Sequence, residues 1–160
     1  MRDDDVYRAV KALLVEYIPD LTADRIVRGW SNRVPAPRGG FCLMRILAHE
    51  RRATNFAEYD PAGESLTLAQ SALVTMQLDF YGTAPASMAD VWAHDFGVLW
   101  RDAVACDFLD PAGIAPTVAG NPRHLPLVGG DEQFFDRWMV EATARSEEHT
   151  SELQSQSVIA

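Results

Sequence analysis

The chain has 160 residues, 48% of them hydrophobic, with 14 Lys/Arg against 23 Asp/Glu and a net charge of −9. That is one ordinary domain with room for a real core; no apolar run is long enough to cross a bilayer, and the opening MRDDD lacks the form of a signal peptide. The acidic balance disfavours general binding to the outside of a nucleic-acid backbone, and Cys42 and Cys106, far apart and outside any CxxC or Cys/His cluster, fit a reduced intracellular chain with buried thiols better than a disulfide scaffold.

Taken in order, Asp3, Asp4 and Asp5 precede Val6, Val10, Leu13, Leu14 and Tyr17, which share one helical face. The aspartates sit where they meet free N–H groups and the positive end of the helix dipole, and Pro19 ends the helix. Arg25–Trp30 reads as a short strand, and Ser31–Gly40, with Pro35, Pro37, Gly39 and Gly40, as a loop. Phe41–His49 is an apolar run that fits a strand buried on both faces, provided Arg45 finds an edge or a partner. Glu50–Tyr59 turns polar and extended, and Asp60-Pro61-Ala62-Gly63 is a turn signal.

The strongest single pattern follows. In Leu66–Tyr81, Leu66, Leu68, Ala72, Val74, Met76, Leu78 and Phe80 share one parity, broken only by Gln70. Alternation this long is a strand signal. At about 3.3 Å per residue the stretch spans roughly 50 Å, whereas a compact domain of this size is about 35–40 Å across. A continuous strand would therefore protrude beyond its own core, with its polar partner Arg51–Tyr59 folded against it as a long hairpin. Val74–Tyr81 should be core, and Leu66–Ala72 should reach for a neighbour. On that argument Arg51, Arg52, Asn55, Phe56, Tyr59, Leu66 and Leu68 are the expected subunit contacts, while Trp30, Asn32 and Arg33 anchor the proline loop.

Gly82 closes the strand. Ala86–Leu109 reads as one helix, opened by a capping box at Ser87-Met88-Ala89-Asp90, with Met88, Val91, Trp92, Leu99, Ala103 and Cys106 as its buried stripe and Phe96 and Trp100 flanking. Asp110-Pro111-Ala112-Gly113 stops it, and Pro116, Pro122 and Pro126 predict a loop-rich stretch before a last strand at Gln133–Ala144. A hairpin beside helices that do not alternate with strands gives an α+β fold: an antiparallel or mixed sheet with two main helices packed on it.

Chemistry is thin. His49, His94 and His124 are isolated in sequence, and none stands in HExxH, HxH or a zinc spacing. Cys106-Asp107 lacks a nucleophile pattern, and there is no GxSxG, P-loop or GxGxxG. No catalytic, metal or cofactor-binding residue is expected. Arg51-Arg52 serves as an edge-strand guard or a subunit contact as well as it would serve nucleic acid.

The C-terminus is a separate matter. Arg145-Ser-Glu-Glu-His-Thr-Ser-Glu-Leu-Gln-Ser155 resembles the translation of a widely used sequencing-library adapter over eleven consecutive residues. The expectation is one domain at 1–144 and a non-native tail at 145–160 that has displaced the native C-terminus; without that tail the balance is 13 basic to 20 acidic, net −7.

Several stretches, in order, resemble tailed-phage neck, or tail-terminator, proteins: Val27–Pro35 (VRGWSNRVP), Arg52–Asn55 (RATN), Val74–Gly82 (VTMQLDFYG), Leu99–Phe108 (LWRDAVACDF), Pro122–Leu127 (PRHLPL) and Arg137-Trp138. Each is packing and turn chemistry; the shared order over most of residues 3–144 carries the likeness. The resemblance implies a structural virion protein of the neck that assembles as a ring, six subunits being the expected number. The ring would cap the tail tube, join it to the head-proximal connector, and let genomic DNA pass through its lumen without specific binding. It implies no enzyme activity, no cofactor and no membrane, and a place in the virion after assembly in the host cytoplasm. A tail-completion or minor tail protein of related fold is the alternative, and a small enzyme using Cys106 the distant one. The family continues past the last strand into a further extended segment, which the adapter-like residues replace here.

Overall fold

The computed structural model describes residues 2–29, 36–52, 56–60, 65–83, 86–128 and 134–154. Asn55 and the Trp30, Asn32 and Arg33 group lie outside the described residues. The order is α1 (Asp3–Tyr17), a 3₁₀ turn (Ala23–Arg25), β1 (Ile26–Arg28), β2 (Phe41–Arg51), β3 (Phe56–Asp60), β4 (Ser65–Thr83), α2 (Ala89–Trp100), α3 (Ala103–Leu109), a second 3₁₀ turn (Asp110–Ala112), β5 (Ile114–Ala119), β6 (Arg123–His124), β7 (Leu127–Val128) and β8 (Phe134–Gln154). The class is α+β: the described strands form one mixed sheet in the order β1-β2-β4-β8-β5, with β1 parallel to β2 and every other pairing antiparallel.

β4 is the axis. Its 19 residues run unbroken and pair with β8 from Ser65↔Gln154 to Thr83↔Phe135. On its other side β2 pairs with Ala72–Tyr81 and β3 with Ser65–Ala69, so the expected hairpin forms. At about 3.3 Å per residue β4 extends roughly 60 Å. One face of its middle carries the core: Val74, Met76, Leu78 and Phe80 are buried with Val6, Val10, Leu13 and Leu14 of α1, Trp92, Phe96 and Trp100 of α2, and Leu109 of α3. Among the described residues of β4, none from the stretch before Ala72 joins this cluster.

The predicted single helix at Ala86–Leu109 is two helices. Asp102 is extended (φ −94°, ψ 152°), and its carboxylate accepts the Val104 N–H at 2.9 Å, so it caps a new helix and does not continue the old one. Neighbours pin the junction: Trp100 Nε1–H donates to the Thr143 carbonyl (3.1 Å) and Arg101 to that of Ala119. The buried stripe is also corrected. Trp92, Phe96 and Trp100, at i, i+4 and i+8, turn inward with Ala89, Ala93 and Gly97, because the large rings have the most surface to remove from water. Met88, Val91, Ala103 and Cys106 consequently face outward, and Leu99 is only half-buried. The Ser87 box is partial: Ser87 Oγ accepts from the Ala89 N–H (3.3 Å) but donates to Asp136 on β8 (2.5 Å), tying α2 to the sheet.

Three further expectations change. The stretch after Gly113 is not loop: β5, β6 and β7 lie end to end along β8, and Pro116 is tolerated because it sits on an edge strand beside a register shift to Val118. Phe41–His49 is not buried on both faces; Cys42 and Met44 point to the core while Leu43 and Arg45 on the other face are half-buried and Leu47 is exposed. The last strand does not stop at Ala144 but continues through Arg145 to Gln154, giving the hairpin a third strand. At Gly113, φ is 68°, the left-handed conformation in which glycine ends the helical segment without steric cost.

Candidate assembly surface

Helix α1 locks the base of the long strands. Its acidic first turn reaches into the sheet: Asp3 Oδ1 lies 2.8 Å from His49 Nε2, and Asp4 pairs with Arg28, whose guanidinium sits over the Tyr7 ring at 4.3 Å. The Tyr7 hydroxyl accepts the Ile46 N–H (2.9 Å) where β2 carries one extra residue, Leu47, between its pairings Ile46↔Met76 and Ala48↔Thr75. A bulge of this kind reverses which face successive side chains take. It brings His49 to the helix side opposite Val74 and leaves Leu47 exposed.

On the opposite face, Asp79 is fully buried and well satisfied. Arg137 donates to its Oδ1 from Nε and Nη2 (2.9 and 2.8 Å), Gln77 Nε2 donates to Oδ2 (2.8 Å), and Arg45 Nη2 stands 3.9 Å from Oδ2. This is the partner that the half-buried Arg45 needed. A Cβ on Gly29 would collide with the Arg45 side chain, so β1 approaches this cluster as closely as its backbone allows. Burial pushes the Cys42 thiol well above its ordinary range, with the Asp79 charge adding to it, and burial also raises the Tyr81 phenol against the pull of Arg137. The cluster ties β2, β4 and β8 together across the sheet at its wide end.

Beyond Ala72 the same strands run on as an arm of β3, β4 and β8. Arg51 ends β2 opposite Ala72 and is exposed; Arg52 is exposed, its N–H donating to the Ser71 carbonyl at 3.2 Å and its guanidinium 4.0 Å from Glu50. Phe56 opens β3 opposite Ala69, Tyr59 stands opposite Leu66 with 61% of its surface exposed, and Leu68 is half-buried opposite Ala57. Six of the seven expected contact residues therefore lie on one stretch of adjacent strands, and Asn55 is the one outside the described residues. Sequence reasoning missed the third strand: Glu147–Gln154 pair with Ser65–Ser71.

The histidines are not isolated in space. His124 Nε2 lies 2.8 Å from Asp136 Oδ1, and its ring stacks 4.9 Å from Trp138, which His94 also approaches at 5.6 Å. The arrangement does not make a nucleophile. Ser87 gives its proton to Asp136, which stands between it and His124, so no imidazole is placed to accept the serine proton. Cys106 is exposed on α3, and among the described residues no three His, Cys, Asp or Glu side chains converge to hold a metal. No described helix is long and apolar enough to cross a membrane.

A family model described as phage neck terminator protein matches residues 4–159. No curated protein matches the sequence. Among solved structures, the chain is similar to the sheath/tube terminator of PVC, an extracellular contractile injection system, seen by cryo-EM in its extended state: 12% identity, TM-score 0.43, over 100% of this chain. The chain spans 62% of the length of that terminator. With the family match covering nearly its whole length, the chain belongs to the phage neck terminator family.

Proposed function

We propose that this protein is a structural subunit of the phage neck that ends the tail tube by forming a ring, six copies to the turn, and presents the surface on which the head-proximal connector seats. Membership of the neck terminator family supports the place in the virion. The observation that carries the assembly reading is the arm: β4 and β8 continue past Ala72 together, with β3 beside them, while the core cluster draws its described β4 residues from Val74–Phe80. An arm that runs past the described core cluster offers its strands to a neighbour, and contact with that neighbour supplies further burial. Arg51, Arg52, Asn55, Phe56, Tyr59, Leu66 and Leu68 are the contacts assigned to that role. The tail tube protein and the connector are the partners on the two faces of the ring, and assembly takes place in the host cytoplasm. The protein works without catalysis: family membership points to a structural part, and Asp136 separates Ser87 from His124. The acidic balance of residues 1–144, 13 basic to 20 acidic, suits a lumen through which DNA passes without being gripped.

The same reading holds that Arg145–Ala160 stand in place of native residues. Its support is Ser146: it lies on the core side opposite Ala72 and Ile114, is 1% exposed, and its hydroxyl has no partner. A buried, unpaired hydroxyl costs about 1–3 kcal/mol. The pairing of Glu147–Gln154 with β4 uses backbone groups that any sequence offers.

Sizing the full chain by light scattering, alone and with the tube protein, tests the assembly reading. A ring-sized species, or a stable complex with the tube, is expected. A strict monomer that never associates with tube or connector overturns it.

A further inference from the structure

Helix α2 turns one apolar face to the core and keeps a second one outside. Ala89, Trp92, Ala93, Phe96, Gly97 and Trp100 face inward. Met88, Val91 and Val98 stand at i, i+3 and i+10 on the outward face, with Asp95 between them at i+7. All three are exposed, Val98 by 71%. A helix that is apolar on both sides is ordinarily enclosed, and this outward ridge, about 15 Å long, is not. Nor does it stop at the helix. His94, on the same outward arc, approaches the Trp138 ring of β8 at 5.6 Å, and His124 of β6 stacks on that ring at 4.9 Å, next to exposed Leu125. Helix and sheet edge are thus joined through Trp138 into a surface larger than singly scattered apolar residues make.

The charge of this surface is one-sided. From Ala89 to Leu109 the chain carries Asp90, Asp95, Asp102 and Asp107 against Arg101 alone, and the Arg101 guanidinium is held by the Ala119 carbonyl. Asp90 and Asp95 have no cationic partner among the described residues. The adjoining strands add no free cation: Arg123 stands 3.9 Å from Glu141, and Arg137 lies with Asp79 on the reverse face of the sheet.

We propose that the outward face of α2 docks a basic amphipathic helix of another protein, its apolar stripe along Met88, Val91 and Val98 and its Lys or Arg side chains over Asp90 and Asp95. The inference goes beyond the ring reading and does not depend on it. Carboxylates without cations beside an apolar ridge attract a basic partner and repel an acidic one. Side chains at this spacing form a ridge that fits the groove of a second helix. An extended partner is disfavoured, because Pro116, Pro122 and Pro126 interrupt the neighbouring edge and deny it a continuous ladder. A second copy is disfavoured too: α1, the longest described helix, carries four acidic residues against two basic ones.

Labelled synthetic peptides titrated onto the full chain test the docking face by fluorescence anisotropy. A peptide with Leu at helical spacing and Lys elsewhere is expected to bind saturably. Its Leu/Glu counterpart, and a Ser/Lys peptide of the same charge, should bind about tenfold more weakly or worse. Val91→Ser/Val98→Ser should weaken the Leu/Lys peptide by about tenfold, and Asp90→Lys/Asp95→Lys should do the same with the apolar ridge intact. Both valines and Asp95 are exposed and Asp90 is half-exposed, so each variant should melt like the parent. Tyr59→Ser on the arm should leave the affinity unchanged. The proposal is overturned by a Leu/Lys peptide that does not bind, that binds no better than the other two, that keeps its affinity for either double variant, or that is weakened equally by Tyr59→Ser. Parent assemblies that shrink in light scattering on Val91→Ser/Val98→Ser would seat a second copy on this face and overturn it as well. A monomeric parent, which removes the ring reading, leaves the peptide test intact.

Discussion

The two halves of β4 share one alternating pattern and live under different energetics. From Ala72 to Phe80 every second residue is buried beneath helices, and Asp79 on the reverse face is bound by two arginines and a glutamine. From Ser65 to Ala69 the strand has partners on both sides, but the described side chains before Ala72 contribute none to the core cluster. The pairing of β4 with β8 runs on from body to arm, whereas the described core burial, which is where stability comes from, is confined to the body. A strand can therefore be extended past its core without becoming irregular, and the extension is left over for assembly.

The largest test of that contrast sets Trp100→Ala against Tyr59→Ala. Trp100 is 1% exposed and hydrogen-bonded, so its loss should cost about 3–5 kcal/mol in denaturant unfolding. Tyr59, 61% exposed on the arm, should change the stability of the isolated subunit by no more than about 0.5 kcal/mol. Equal costs would mean that the arm has a core of its own. Next in size, Asp79→Asn should cost about 1.5–3 kcal/mol by weakening charged hydrogen bonds from Arg137, read as a shifted midpoint with an unchanged slope. Ser146→Ala should raise stability by about 1 kcal/mol, since it removes the unpaired buried hydroxyl where body meets arm. A loss there would show that the hydroxyl is satisfied and that Ser146 belongs in its place. The smallest effect concerns the thiols: Cys106 should alkylate readily in the folded protein and Cys42 only on unfolding, because Cys42 is buried with a raised pKa.

How much was legible follows from the range of each interaction. Period-two alternation in β4, the first helix with its Val6–Leu14 face, and the Asp110–Gly113 stop are local signals, and each appears where the residues place it. Errors arise where a neighbour decides. The kink at Asp102 depends on Thr143 and Ala119 holding the preceding turn, and the inward face of α2 depends on which aromatic rings the sheet has room for. Strands β5 to β7 are short, proline-bearing and set by β8, so nothing local announces them. The arm was found because its excess length is arithmetic on the chain itself. Its third strand was not, because an adapter-like polar sequence carries no strand signal and pairs through backbone alone.

Hydrogen exchange compared between the isolated subunit and the assembled ring bears most directly on the claim that the arm is the assembly element. Amides over Phe56–Asp60 and the outer edge of β2 should exchange quickly in the monomer and become protected in the ring, while those of Val74–Phe80 should be slow in both. A ring that forms with exchange over β2's outer edge and β3 unchanged would contradict the account, since the arm would then be extended without serving assembly.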